Sequence, residues 1–172
     1  TVWPGFALSL QRNLGVDRII SNPEFLSEAT AEKDSKNPPF ILIGGSANRY
    51  IEDVKAIYQS RIKGANFIIT NNTSAEMAKL ALNGFFATKV IYANQIFDQC
   101  QRLGANYETV REVFERHPYG FRNHATVWFK GKRGVNGKCL PKDTKALAHY
   151  TQAEIVKKVV ELNEDYIYQK EE

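Results

Sequence analysis

Cysteine and methionine are scarce in this chain, with two of the first and one of the second among 172 residues. Two cysteines, Cys100 and Cys139, make a poor disulfide framework for this length, which points to a reducing, cytoplasmic setting. No apolar run reaches the roughly 18 residues needed to cross a bilayer, so no membrane partner is expected. Thr1 to Phe6 has no basic segment ahead of an apolar stretch, so no secretory signal is read. The net charge is only +4. Lys and Arg are scattered among Asp and Glu, which argues against a nucleic-acid footprint and leaves small anionic ligands open. The three histidines, His117, His124 and His149, share no ligand spacing with each other or with the cysteines, so no metal is expected.

What is present is ample apolar material, 43% of the residues, enough for one solid core. The chain opens on Thr1 close to a predicted strand, with no lead-in, and reads as an excerpt. Asp17 to Asn22 is a short strand candidate ended by Asn22-Pro23. Phe40 to Ile43 is a stronger one, bracketed by Pro38-Pro39 and Gly44-Gly45. Tyr50, Val54, Ile57, Tyr58 and Ile62 recur at helical spacing over 46–63, and 66–70 reads as a further strand. Strand, helix, strand is the unit of a parallel sheet, and three strands make only the edge of one. A long helix follows, capped by Thr73 or Ser74 and running about 30 residues to Gly104. Its apolar residues fall on more than one face, including Phe85, Phe86 and Phe97, so a second copy of the chain is the expected partner. A short helix over 106–117, a loop over 118–138 and a last helix after Asp143 complete the reading. The fold class is α/β, mostly α.

Several residues carry chemistry. Cys139 lies in a loop rich in glycine and lysine, Gly134-Val135-Asn136-Gly137-Lys138-Cys139-Leu140-Pro141-Lys142-Asp143, where positive potential would favour a nucleophilic sulfur. The bland alternative is a small hydrophobe in a turn, the role that suits Cys100 in its apolar helix. Glu24, after a strand and between Pro23 and Phe25, suits a partly desolvated general base; a solvated turn residue is equally compatible with the sequence. Lys79 and Asn83 share a helix face four residues apart, equipment for an oxyanion if buried and a polar stripe if not.

Four blocks in order resemble the UDP-glucose/GDP-mannose dehydrogenase family: Thr1-Val2-Trp3-Pro4-Gly5, Asn22-Pro23-Glu24-Phe25-Leu26, Ala75-Glu76-Met77-Ala78-Lys79-Leu80-Ala81-Leu82-Asn83, and Gly134 to Asp143. The resemblance implies the edge of a Rossmann-like NAD-binding domain over 1–72, then a helical dimerisation and catalytic domain over 73–172. It also implies oxidation of a sugar C6 alcohol to a carboxylate by two hydride transfers to NAD, with UDP-glucose favoured as substrate by the Asn-Pro-Glu-Phe-Leu block. Cys139 would hold the sugar as a thiohemiacetal and then a thioester. Lys79 and Asn83 would stabilise the oxyanion, Asp143 would help place a water, and Glu24 would be the base for hydrolysis. Phe25, Leu26 and the loop from Gly134 would line the substrate, with Glu24, Lys79 and Asn83. Thr1, Glu28 and Lys142 would lie on the nicotinamide side. The chain departs from the family at Ala29 and Asn136, each in place of glycine. Tyr119, with Arg122 nearby, stands where the family carries an arginine that reaches across the dimer. The Gly-x-Gly-x-x-Gly loop and the sugar-nucleotide domain are expected to lie outside these residues, leaving the segment inactive alone. The alternative is a non-catalytic dimeric scaffold that keeps the family's central bundle.

Overall fold

The apolar run Ile41–Gly44 is fully buried and forms β1, and Phe67–Thr70 forms β2 parallel to it. These are the two strands of a single sheet in the computed structural model, which describes residues 1–27, 29–121 and 123–169. The register pairs Ile41 with Phe67 and Gly44 with Thr70. Helix α3, Asn48–Gln59, connects the strands. It packs Ile51, Val54 and Tyr58 against Ile41, Ile43 and Phe67, as its helical spacing anticipates. Two more helices precede the sheet, α1 (Phe6–Leu14) and α2 (Ala31–Lys36). After it come α4 (Asn72–Leu103), α5 (Tyr107–Arg116), α6 (Cys139–Thr151) and α7 (Glu154–Tyr166). The fold is thus α/β and mostly helical, a parallel sheet edge leading into a long central helix.

The chain divides into two compact units, Thr1–Leu80 and Ala81–Glu172, the division falling inside α4. In the first unit Gly44 is held against the start of α4. A Cβ there would lie 2.7 Å from both the Ala75 Cβ and the Asn71 carbonyl oxygen, so only glycine permits this approach. In the second unit Ala87, Val90 and Ile91 of α4 pack with Val135, Val159 and Tyr166. Cys100 fills a neighbouring cluster with Tyr107 and Val127, the core role expected of it.

Four expectations are corrected. The chain opens with a helix, not beside a strand. Glu76 supplies the missing cap, its carboxylate accepting from the backbone N–H groups of Gly5 (2.7 Å) and Ala7 (2.9 Å). Asp17 to Asn22 forms no ladder beyond a single antiparallel bridge, Ser21 to Gly44. Side chains of α4 satisfy that backbone instead: Asn72 accepts from Ser21 N–H and donates to the Ile19 carbonyl. The cap of α4 is Asn71, whose side chain accepts from Ser74 N–H at 2.8 Å, not Thr73 or Ser74. The last helix is two helices. Gln152 takes φ 57 between α6 and α7 with its amide donating to the His149 carbonyl, a break that no Gly or Pro announces.

Phe86 and Phe97 were expected to need a second subunit, and each is already half-buried against an aromatic ring of the same chain. Phe86 stacks on His124 at 4.7 Å, and Phe97 meets Tyr107 edge-on at 5.4 Å. Burial, then the Lys89 cation, holds the His124 imidazole below its ordinary value, against the opposing effect of a hydrogen bond that the ring donates to the Asn123 backbone. Burial also lowers Lys89. A base depressed on folding stabilises the fold above its unfolded value of 6.5 and loses that contribution as pH falls through the folded value. Thermal melts of the wild type are therefore expected to fall as pH drops from about 7 to about 5. His124→Asn, chosen because asparagine tolerates the φ of 76 at this position, is expected to flatten that slope. An unchanged slope in the variant would exclude His124 as its source.

Candidate functional site

In the first unit, Lys79 is 7% exposed, so the polar-stripe reading of this residue is replaced by a buried ammonium. A charge there needs compensation. Its Nζ lies 3.6 Å from Glu24 Oε1 and 5.4 Å from the centroid of the Phe25 ring. Phe25 is half-buried and tilts against Phe40 at 5.0 Å. Of the two readings open for Glu24, partly desolvated or solvated, the solvated one holds. Its side chain is 61% exposed, on a segment that belongs to no helix or strand. It still has structure of its own, since Oε2 accepts from Leu26 N–H at 2.6 Å. Leu26 is exposed, as is Thr1 at the head of the chain.

The segment that carries Glu24 is tied to α4 a few residues upstream. Besides capping α1, Glu76 accepts from Ser21 Oγ at 2.9 Å, and Asn22 donates to the Leu42 carbonyl. Glu76 thus orders both the Thr1 to Gly5 block and the approach to Glu24. Sequence reading assigned it only to the first turn of a helix. The available signal was an acid on the buried side of an otherwise apolar turn, beside Ala75 and Leu80.

In the second unit, Cys139 is exposed and is the first residue of α6. This is closer to a helix N-terminus than the sequence suggested, and the positive end of the peptide dipoles faces its side of the turn. Pro141 sits in the first turn, where its missing N–H costs nothing. One turn on, Asp143 is 1% exposed. Its Oδ2 accepts from Asn83 Nδ2 at 2.6 Å, and Oδ1 lies 2.7 Å from Lys142 Nζ. Asn83 is itself buried. A buried carboxylate with a charge-assisted bond to an amide holds that amide in one orientation. Lys142 is exposed.

Gly134 is buried with φ 74, and a Cβ on it would lie 2.6 Å from Asn163 Oδ1. Its glycine is explained by packing as well as by backbone. Asn136 stands where the family carries glycine. Its amide folds back on the loop, donating to the carbonyls of Arg133 (2.7 Å) and Gly134 (3.0 Å). Tyr119 is 94% exposed, while Glu28 and Arg122 lie outside the described residues. Among the described residues no cluster of three His, Cys, Asp or Glu is placed to hold a metal, and no helix is long and apolar enough to cross a membrane.

The model of the UDP-glucose/GDP-mannose dehydrogenase family, central domain, matches residues 73–165, and the chain belongs to that family. UDP-glucose 6-dehydrogenase of Pongo abelii is 32% identical over 152 residues, which cover 86% of this chain and 30% of that relative. The Rickettsia felis protein of the same name is 32% identical over 154 residues, or 84% and 33%. The solved UDP-glucose dehydrogenase of Pyrobaculum islandicum superposes with a TM-score of 0.83 at 29% identity, covering 96% of this chain and 40% of that one. The UDP-D-ManNAc dehydrogenase of Pyrococcus horikoshii gives 0.81 at 25% identity, covering 95% and 40%. The chain therefore spans about a third of the length of the curated relatives it matches. The resemblance read from four motif blocks is borne out.

Proposed function

We propose that this chain is the central portion of an NAD-dependent UDP-glucose 6-dehydrogenase, acting through a covalent adduct on Cys139. The observation that carries this reading is the exposed sulfur at the start of α6, followed one turn later by the buried Asn83–Asp143 pair. The Cys139 thiol adds to the C6 aldehyde of the sugar, and its proton leaves to water or a nearby base. Lys79 and Asn83, one turn apart on α4, stabilise the oxygen that gains charge. Oxidation of the thiohemiacetal leaves a thioester, and water activated by Glu24 cleaves it to the carboxylate and the free thiol. Asp143 fixes the Asn83 amide and helps place that water. Phe25, Leu26 and the loop from Gly134 line the sugar nucleotide. NAD, when bound, accepts the hydride in each oxidation. Thr1, Glu28 and Lys142 are proposed for its nicotinamide side. The compartment is proposed to be cytoplasmic. The test is NADH formation from NAD and UDP-glucose by the protein in which this segment occurs. Two NADH per sugar are expected, and Cys139→Ser should abolish turnover. Undiminished turnover in that variant would sink the covalent mechanism, and activity with GDP-mannose alone would reassign the substrate.

We also propose that the chain pairs with a second copy of itself. Phe85 is 57% and Tyr92 49% exposed, seven residues apart on one face of α4, and Phe114 and Phe121 lie beside Tyr92. An aromatic patch of this kind is seldom left to water. Light scattering at micromolar concentration is expected to give a dimer, and Phe85→Glu with Tyr92→Glu a monomer. A wild-type monomer would remove this proposal.

A further inference from the structure

The loop that delivers Cys139 contains three glycines with positive φ, at 131, 134 and 137. Such a loop samples many conformations unless something holds it. It is held on both sides of Gly134. Upstream, Arg133 is 6% exposed, and each of its three guanidinium nitrogens has a partner. Nε donates to Asn94 Oδ1 at 3.0 Å, Nη2 to the Asn94 carbonyl at 3.2 Å, and Nη1 to Gln169 Oε1 at 2.8 Å. Nη2 also pairs with Asp98 Oδ1 at 2.7 Å, and the Tyr166 ring covers the guanidinium at 4.5 Å. Downstream, the side chain of Asn163 reads the backbone of Val135 as a neighbouring strand would. Oδ1 accepts from Val135 N–H at 2.5 Å, and Nδ2 donates to the Val135 carbonyl at 3.2 Å.

Neither clamp is needed to bury apolar surface, and a polar group buried inside a helix bundle is costly unless satisfied. Asn163 occupies the buried face of α7 with Val156, Val159 and Tyr166, where an aliphatic residue would pack at lower cost. We propose that Asn163 and Arg133 are positioning residues that hold the Gly134 turn, and through it Cys139, in one place relative to α4. Gly134 completes the device. Any side chain there would collide with Asn163 Oδ1 and, at 2.9 Å, with the Tyr166 Cβ. The catalytic consequence rests on the role proposed for Cys139; the positioning itself does not.

The test therefore reads the loop and not turnover. In amide NMR spectra of the 172-residue chain, Gly137, Lys138 and Cys139 are expected to give single sharp signals. The hydrogen bonds of the clamping side chains go to Asn94, Gln169 and Val135, not to these three. Asn163→Leu should broaden or multiply those signals and speed exchange of the Val135 amide about tenfold or more. Signals of α5 should stay in place, and Cys100 should stay protected from alkylation. Asn163→Asp keeps the acceptor for Val135 N–H, so it should retain most of that amide's protection. If Asn163→Leu fails to fold, Arg133→Lys, which keeps the charge beside Asp98 and loses the fork, should loosen the same three amides. Sharp, unshifted signals from Gly137 to Cys139 in a folded variant would overturn the proposal. An inactive enzyme whose loop responds as described would instead count against the mechanism alone.

Discussion

Iodoacetamide applied to the native protein is expected to label Cys139 faster than Cys100 by on the order of a hundredfold or more. Cys139 is exposed at the first residue of α6, so reagent reaches its sulfur without any movement of the chain. Cys100 is 6% exposed in a cluster with Tyr107 and Val127, and Ile96, Phe97 and Trp128 pack around that cluster. Reagent reaches it only when the end of α4 opens, and openings of packed helices carry a large part of the global stability. The Tyr107 hydroxyl donates to the Ala125 carbonyl at 2.7 Å, and burial pushes its ionisation up to about 12, so this corner stays closed at neutral pH. Peptide mapping after short exposure reads both rates at once. Equal rates would mean that the second unit does not pack as described, and faster labelling of Cys100 would remove Cys139 as the accessible nucleophile.

Arg133→Met is expected to lower the stability of the chain by about 3 kcal/mol, the low end of the range for breaking a buried ion pair. The low end applies because the Asp98 side chain is 37% exposed and can recover water, whereas Arg133 is enclosed. The loss has several parts. Asn94 loses the donors to its side-chain oxygen and its carbonyl, and Phe97, Trp128 and Tyr166 lose the cation they surround. Tyr166 keeps its own bond to Asp98 Oδ2 at 2.7 Å, and burial together with that bond pushes its ionisation up to about 12. The carboxylate therefore stays partly satisfied. Urea unfolding followed by circular dichroism should show a lower midpoint with an unchanged slope. Arg133→Lys should cost about half as much, since the charge remains and the planar fork is lost. A shift in Arg133→Met below about 1 kcal/mol would show that the network is ornamental to the fold.

Much of the architecture was legible before any coordinates. The β1–α3–β2 unit followed from two apolar runs flanking a helical period. The long central helix followed from a stretch with no breaker other than Gly84. Local pattern reports such elements because each residue's contribution depends on near neighbours. Cys139 stood out because glycines and lysines around a cysteine are an unusual local composition, and the four blocks pointed to the family because their order and spacing are linear features.

The sequence by itself therefore determined the class and the family, and it singled out the candidate side chains. What it left open was decided by partners distant along the chain. Glu76 turns the opening residues into α1 by accepting from N–H groups about seventy positions away. Asn72 meets the backbone of Ile19 and Ser21, where a third strand had been expected. Asn163 is by local pattern one polar residue in an amphipathic helix, and only the fold brings its amide to Val135, 28 residues earlier. Lys79 and Asn83 share one helix face, a spacing that by itself favours a surface stripe, and packing alone made them buried. The common cause is that a polar side chain carries no local mark of its partner. Apolar periodicity shows which face turns inward, but only the assembled fold shows which buried donor meets which acceptor.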